Sequence, residues 1–431
     1  MIVRTNVLER EESLASQSDP GRLAYPVRAE TVRPVRVFVM DLLPTVPYYT
    51  GYLCAAMQNQ PNVDLSVGAT IYSHDPAFFA RMGVPRKRGL IDFAGRLPNS
   101  VKILRRALKF GEYLLNLAIL TLRFASSRPD IVHVQFTPLI DRHLPYEIWF
   151  LKYVRRLGCK IVYTVHNVLP HENGERYRAR YAKVYRLVDH FICHDPHAQA
   201  ALAAEFQVPP DTVSIVPHGP LFSPAHDCTP RQARAKTGLS PDACIVLWQG
   251  IIRPYKGISF LLKAWKAACQ AGLQATLVIV GTGEKDVVEA VAQEVQALDI
   301  ASSVRLDFRF VSVEMLEAYH LAADILVYPY TAITTSGALM TGMGYGKAMI
   351  ASALPAFEEM LQNDKNALLV PYGDVDGWAG ALARLASDAD LRARLGGRLQ
   401  ASCAGTPRWT DIACETLRVY EQVLTSSSTS R

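Results

Sequence analysis

Residues 244–280 read CIVLWQGIIRPYKGISFLLKAWKAACQAGLQATLVIV. An unbroken apolar run passes into a basic loop bounded by glycines, then a helical pattern, then a second Val/Ile run. Apolar runs without alternating polar positions suit strands buried on both faces of a parallel sheet. The helical segment between them is long enough to carry the chain back to a parallel neighbour. Working outward, the beat repeats downstream in VRLDF (304–308), DILVYP (324–329), AMIAS (348–352) and ALLVP (367–371). Upstream it is present in RVFVM (36–40), DIVHVQF (130–136), KIVYTV (160–165), HFIC (190–193) and VSIVP (213–217). Alternation on this scale predicts an α/β protein built from two doubly wound, Rossmann-like domains. The proline-rich HGPLFSPAHDCTP (218–230) reads as their linker. Two such domains facing each other would leave a cleft at the carboxyl ends of both sheets, the usual position for a ligand.

A chain of 431 residues is too long for one ordinary core, and 49% apolar with 20% charged residues is the composition of a soluble globular protein. The expected divisions are an arm over 1–34, domains over 35–221 and 222–405, a C-terminal helix over 406–425 and a tail over 426–431. The cysteines are scattered without a CxxC pair, which argues against zinc and a disulfide framework and for a reducing cytoplasm. The first residues carry no apolar signal-peptide core, and no cofactor motif stands out. The net charge of +6 is unevenly placed: residues 79–126 hold ten basic and two acidic side chains, so that segment alone is +8. Its centre, KILRRALKFGEYLLNLAILTL, joins a basic face to an apolar run from Tyr113 to Leu122, about half of the ~20 residues that span a bilayer. Two readings fit: a helix lying on an anionic membrane surface, on the inner face of the plasma membrane, or a core helix with a solvated basic face. No nucleic-acid recognition motif accompanies the charge.

The chemistry-bearing residues cluster just after strands. In GIIRPYKGI (250–258), Gly250 permits a tight turn, and Arg253 and Lys256 project over a helix beginning near Gly257. Two cations at a helix start suit a diphosphate. After DILVYP comes TTSGAL, where Thr334, Thr335 and Ser336 can cap the next helix and Gly337 lets a ligand approach the backbone. In the first half, KIVYTVHNVLPHE ends a strand with His166, Asn167, His171 and Glu172. Pro170 breaks the helical spacing a metal pair would need, so no metal is expected there. MDLLPTVPYYTGYL (40–53) places Asp41 after the first strand, where a lone aspartate is more often a cap than a catalyst.

Together GIIRPYKG, VPHG, LAADILVYP, GKAMIAS, NALLVPYGD and the final WTDIACETLRVYEQVL resemble a GT-B glycosyltransferase similar to glycosyltransferase family 4, over roughly residues 35–425. The resemblance implies a nucleotide-diphosphate sugar donor and a polyprenyl-linked or polysaccharide acceptor. It also implies that the last helix crosses back to the first domain and that Arg253 and Lys256 hold the donor diphosphate. Family 4 usually carries Glu-x7-Glu before its GxPVIAS strand. The corresponding positions here are Ile333 and Thr341, and neither is acidic. HNVLPHE, GIIRPYKG and PYTAITTSGALM together are similar to the xanthan-type β-mannosyltransferases, an inverting branch. That resemblance makes Glu172 the leading candidate base, with His166 and Asp41 behind it, and Gly250, Arg253, Lys256, Gly257, Thr335, Ser336, Gly337 and Thr341 the donor-binding set. A retaining family 4 transferase and a catalytically silent GT-B scaffold are the competing readings.

Overall fold

A computed structural model of the chain describes residues 33–72, 75–97, 102–170, 174–220, 228–333, 336–405 and 407–426. The chain forms two compact units, one comprising Met1–Pro217 with Pro407–Arg431 and the other His218–Thr406. Each is built on a six-stranded sheet, and every strand pairing is parallel.

In the first unit the strands are β1 (Val35–Asp41), β2 (Val63–Ala69), β3 (Ile131–Val134), β4 (Lys160–Val165), β5 (His190–Cys193) and β6 (Val213–Ile215), in spatial order β2-β1-β3-β4-β5-β6. Strand order reverses between β1 and β3, and in an open α/β sheet such a reversal opens a crevice at the carboxyl ends. Sequence patterning missed β2. Its Asp64 is exposed and its Ser66 half-buried, because this strand lies at the sheet edge, and the continuous apolar signal is lost. Gly68 in β2 lies under the Phe38 ring, which an added Cβ would meet at 2.3 Å. The basic segment forms a helix over Lys102–Ser126. It buries Tyr113, Leu117, Leu120 and Phe124 in the core and leaves Leu104, Leu115 and Leu122 exposed. The C-terminal helix Trp409–Thr425 packs on helix Pro47–Met57 of this same unit, with the Trp409 and Tyr52 rings stacked 5.6 Å apart.

In the second unit the strands are β7 (Ile245–Gln249), β8 (Thr276–Val280), β9 (Val304–Asp307), β10 (Ile325–Tyr328), β11 (Ala348–Ser352) and β12 (Leu368–Val370), in order β12-β11-β10-β7-β8-β9. This is the Rossmann order, with its switch point between β7 and β10. One core layer is built on Trp248, Trp265 and Trp378, and another on Tyr319, Tyr328 and Tyr330.

Candidate functional site

The loops that leave β7 and β10 meet at the second unit's switch point. Thr331 donates from its backbone N–H (2.8 Å) and its hydroxyl (3.2 Å) to the carbonyl of Tyr255. Two glycines make the approach possible. Gly257 has φ +69°, and a Cβ there would lie 1.8 Å from the carbonyl oxygen of Pro329. Gly250 has φ +142°, and a Cβ there would lie 2.8 Å from the Lys256 ammonium. Lys256 therefore folds back over its own loop. Its Nζ sits 5.2 Å from the Tyr330 ring centroid and 6.0 Å from that of Trp248. Only 9% of the residue is exposed, and among the described residues it has no carboxylate partner and no hydrogen-bond acceptor. Burial pushes its pKa below the usual lysine value, and the neighbouring Arg253 adds to that shift. A buried ammonium set against ring π-clouds, with no carboxylate beside it among the described residues, is under-compensated, and an anion beside it would be stabilised. Arg253 stands more exposed, 3.9 Å from Glu284, which the GTGE turn after β8 supplies. A pair this long and this exposed holds the guanidinium only weakly.

On the β10 side, Ser336 caps the helix Gly337–Met343 by accepting from the Leu339 N–H at 3.2 Å, leaving its hydroxyl proton to donate elsewhere. Thr335 lies outside the described residues. The first turn is pinned from below, since Gln249 Nε2 (3.3 Å) and the Tyr328 hydroxyl (3.0 Å) both donate to the Ala338 carbonyl. Thr341 is buried, its hydroxyl without a partner among the described residues, and Ile333 packs against the core.

At the carboxyl edge of the first sheet, Asp41 ends β1 and is fully enclosed. It accepts from the Thr45 N–H (3.1 Å) and the Thr50 hydroxyl (2.9 Å), anchoring the turn into helix Pro47–Met57. Burial raises its pKa to about 6, with those hydrogen bonds pulling the other way. His166 follows β4 and meets two residues that sequence reasoning did not single out. His194 follows β5 and donates from Nδ1 to the Val216 carbonyl at 3.0 Å. A carbonyl can only accept, so His194 Nε2 is left as the acceptor facing His166 Nδ1 at 3.4 Å. The other His166 nitrogen, Nε2, lies 3.0 Å from the side-chain amide of Gln135, which follows β3. The common signal is position, since all three stand one residue past the ends of adjacent strands. Glu172 and His171 lie outside the described residues. Among the described residues, no group of three His, Cys, Asp or Glu side chains could hold a metal.

Two family models match the chain, one per unit: Glycosyltransferase Family 4 over residues 52–219 and Glycosyl transferases group 1 over residues 243–388. The chain is a GT-B glycosyltransferase, group 1 and family 4-like. Among curated relatives, this glycosyltransferase is 24% identical over 294 residues to the D-inositol 3-phosphate glycosyltransferase of Corynebacterium efficiens, covering 64% of the chain and 69% of the relative. It is 30% identical over 173 residues to the phosphatidyl-myo-inositol mannosyltransferase of Mycolicibacterium smegmatis, covering 39% of the chain and 42% of the relative. Its fold matches a sucrose-phosphate synthase from Thermosynechococcus elongatus with a TM-score of 0.69 at 19% identity, over 92% of this chain and all (100%) of that one. The Anabaena protein HepE, solved in complex with UDP, matches with a TM-score of 0.64 at 16% identity, over 92% of this chain and 100% of that one. The glycosyltransferase is thus a hexosyltransferase whose two models fall on its two units.

Proposed function

We propose that this enzyme moves a hexose from a nucleotide-diphosphate sugar to a lipid-linked or polysaccharide acceptor in exopolysaccharide or cell-surface glycan synthesis, without a metal and with inversion. The observation that carries the reading is Lys256, a buried ammonium with no counter-anion among the described residues, beside Arg253 at a Rossmann switch point. The leaving group in such a transfer is a nucleoside diphosphate, whose charge grows as the glycosidic bond breaks. A preorganised cation in a poorly hydrated loop stabilises that growing charge more than it would in water. Arg253 adds a planar donor suited to phosphate oxygens, and Ser336 has a hydroxyl proton to give. The UDP bound by HepE supports a nucleotide donor, and the phosphatidyl-myo-inositol in the name of the Mycolicibacterium relative supports a lipid-linked acceptor. On the acceptor side an inverting transfer needs a base on the face opposite the leaving group. Glu172 is assigned that role, by its place in HNVLPHE, and His166 contacts the donor sugar. The likeness to the xanthan-type branch is part of this reading, because neutral Thr341 stands where family 4 has an acid.

The helix Lys102–Ser126 is assigned to the membrane surface: it exposes three leucines beside a basic face, and no described helix is long and apolar enough to cross a bilayer. The test of the function is a screen of UDP- and GDP-sugars for nucleotide release by the purified protein. A donor that is turned over by wild type and not by Lys256→Met supports the reading. Equal turnover and equal nucleotide affinity in Lys256→Met and Arg253→Ala would place the donor site elsewhere.

A further inference from the structure

The first unit has its own switch point, between β1 and β3, and the loops leaving those two strands frame a cavity of about 170 Å³. Leu43 comes from the loop after β1, Leu139 and Arg142 from the loop after β3, and Arg106, Lys109, Phe110 and Tyr113 from helix Lys102–Ser126. Four of these side chains are apolar or aromatic and three are cations; none is an acid. Among the described residues neither Arg106, Lys109 nor Arg142 has an ion-pair partner. The neighbouring acids are engaged elsewhere. Asp92 accepts from the Ile71 N–H (2.8 Å) and from Arg86, and Glu112 accepts from the N–H groups of Phe93 (2.6 Å) and Ala94 (2.7 Å). Asp141 accepts from the Tyr181 hydroxyl at 3.0 Å. The one aromatic hydroxyl lining the cavity, that of Tyr113, donates inward to Glu147. Burial and the nearby Arg105 lower the Lys109 pKa, with the charges of Asp92 and Glu112 pulling the other way. This is a second set of cations without an ion-pair partner among the described residues, set around an apolar hollow.

The hollow is smaller than the roughly 300–1,000 Å³ of pockets that enclose a whole drug-sized ligand. It suits one end of a longer molecule. We propose that it binds the phosphate end of a lipid-linked acceptor, with Arg106, Lys109 and Arg142 on the phosphate oxygens and Leu43, Phe110 and Leu139 against the first carbons of the chain. An ester of phosphate with an apolar alcohol matches both halves of the lining, and a free saccharide matches neither. The word acceptor rests on the glycosyltransferase reading above; the binding of a phosphorylated lipid does not.

The test is calorimetric titration of the purified protein with geranyl diphosphate, geraniol and pyrophosphate, with UDP titrated in parallel. Geranyl diphosphate should bind at least about tenfold more tightly than either fragment, and Lys109→Ala or Arg142→Ala should each weaken it by about tenfold, as expected for losing one charge-assisted contact. Lys109→Arg should restore most of the affinity, and UDP binding should be unchanged in every variant. Pyrophosphate binding as tightly as geranyl diphosphate would reduce the pocket to an anion site, and geraniol binding as tightly would reduce it to an apolar one. Either result, or alanine variants that bind geranyl diphosphate like wild type, overturns the proposal. None of these outcomes touches the donor reading, which fails only if UDP binding ignores Lys256 and Arg253.

Discussion

Lys256 and Glu147 are both buried ionisable side chains at a switch point, and their surroundings are opposite. Glu147 lies in the first unit on helix Tyr146–Arg156, with the Tyr113 hydroxyl donating to one oxygen and the N–H groups of Leu139 and Ile140 donating to the other at 3.1 Å each. Its donors tie the loop after β3 to two helices. Lys256, in the second unit, has the faces of Tyr330 and Trp248 and no acceptor among the described residues. A buried ionisable group whose hydrogen-bonding capacity is used by the protein is part of the scaffold. One left without a counter-charge is costly to the fold, and such cost persists where a ligand supplies the missing partner.

The comparison breaks first at Glu147. Glu147→Ala leaves a hydroxyl and two backbone N–H groups buried without an acceptor, and should cost about 3–5 kcal/mol of stability in denaturant unfolding. A loss below about 1 kcal/mol would mean that water replaces the carboxylate, and that the site is not a scaffold.

The pH dependence sharpens the same point. Burial raises the Glu147 pKa to about 8 from 4.5, against the pull of its three donors. Between those values the unfolded chain has lost the proton while the folded one keeps it, so the unfolded state binds fewer protons and stability falls as pH rises. This contribution is fully present below about pH 4.5 and gone above about pH 8. Unfolding free energies measured across pH 5–8 should show a downward slope that Glu147→Gln flattens. Asp41, raised to about 6, adds a slope of the same sign at lower pH.

Lys256→Met tests the other side. Removing the ammonium should cost about 2–4 kcal/mol in transition-state stabilisation. Thermal stability should hold or rise, because an uncompensated buried charge is replaced by an apolar chain of similar length. A variant that is both inactive and markedly destabilised would make Lys256 a scaffold residue like Glu147.

The smallest effect is expected at Ser336. Ser336→Ala removes the helix cap and should cost about 1 kcal/mol of stability, with donor affinity falling by about 1–2 kcal/mol if its hydroxyl proton reaches a phosphate. A stability loss with donor affinity unchanged would leave it a cap alone.

The strands of the second sheet were legible because both faces are covered, so CIVLWQ, ATLVIV and AMIAS carry no polar alternation to blur them. β2 was not, because its edge position lets Asp64 and Ser66 face outward. The loop GIIRPYKG was legible as a basic turn, since glycine spacing is local information. That Lys256 is buried, and that Gly250 is there to make room for its ammonium, depends on Tyr330 arriving just past β10, 74 residues further along (330 − 256). Gln135 and His194 sat unmarked in the sequence, as polar residues just past strand ends, until parallel pairing set them beside His166.

Local patterning by itself determined that this chain is an α/β protein of two parallel-sheet units, and which loops carry cations and glycines. Strand order, set by crossovers that leave no trace in any short window, decided where each sheet opens. Burial decided which charges are free to meet a ligand, because the same lysine or glutamate is solvated, satisfied or stranded according to neighbours that only the folded chain brings together.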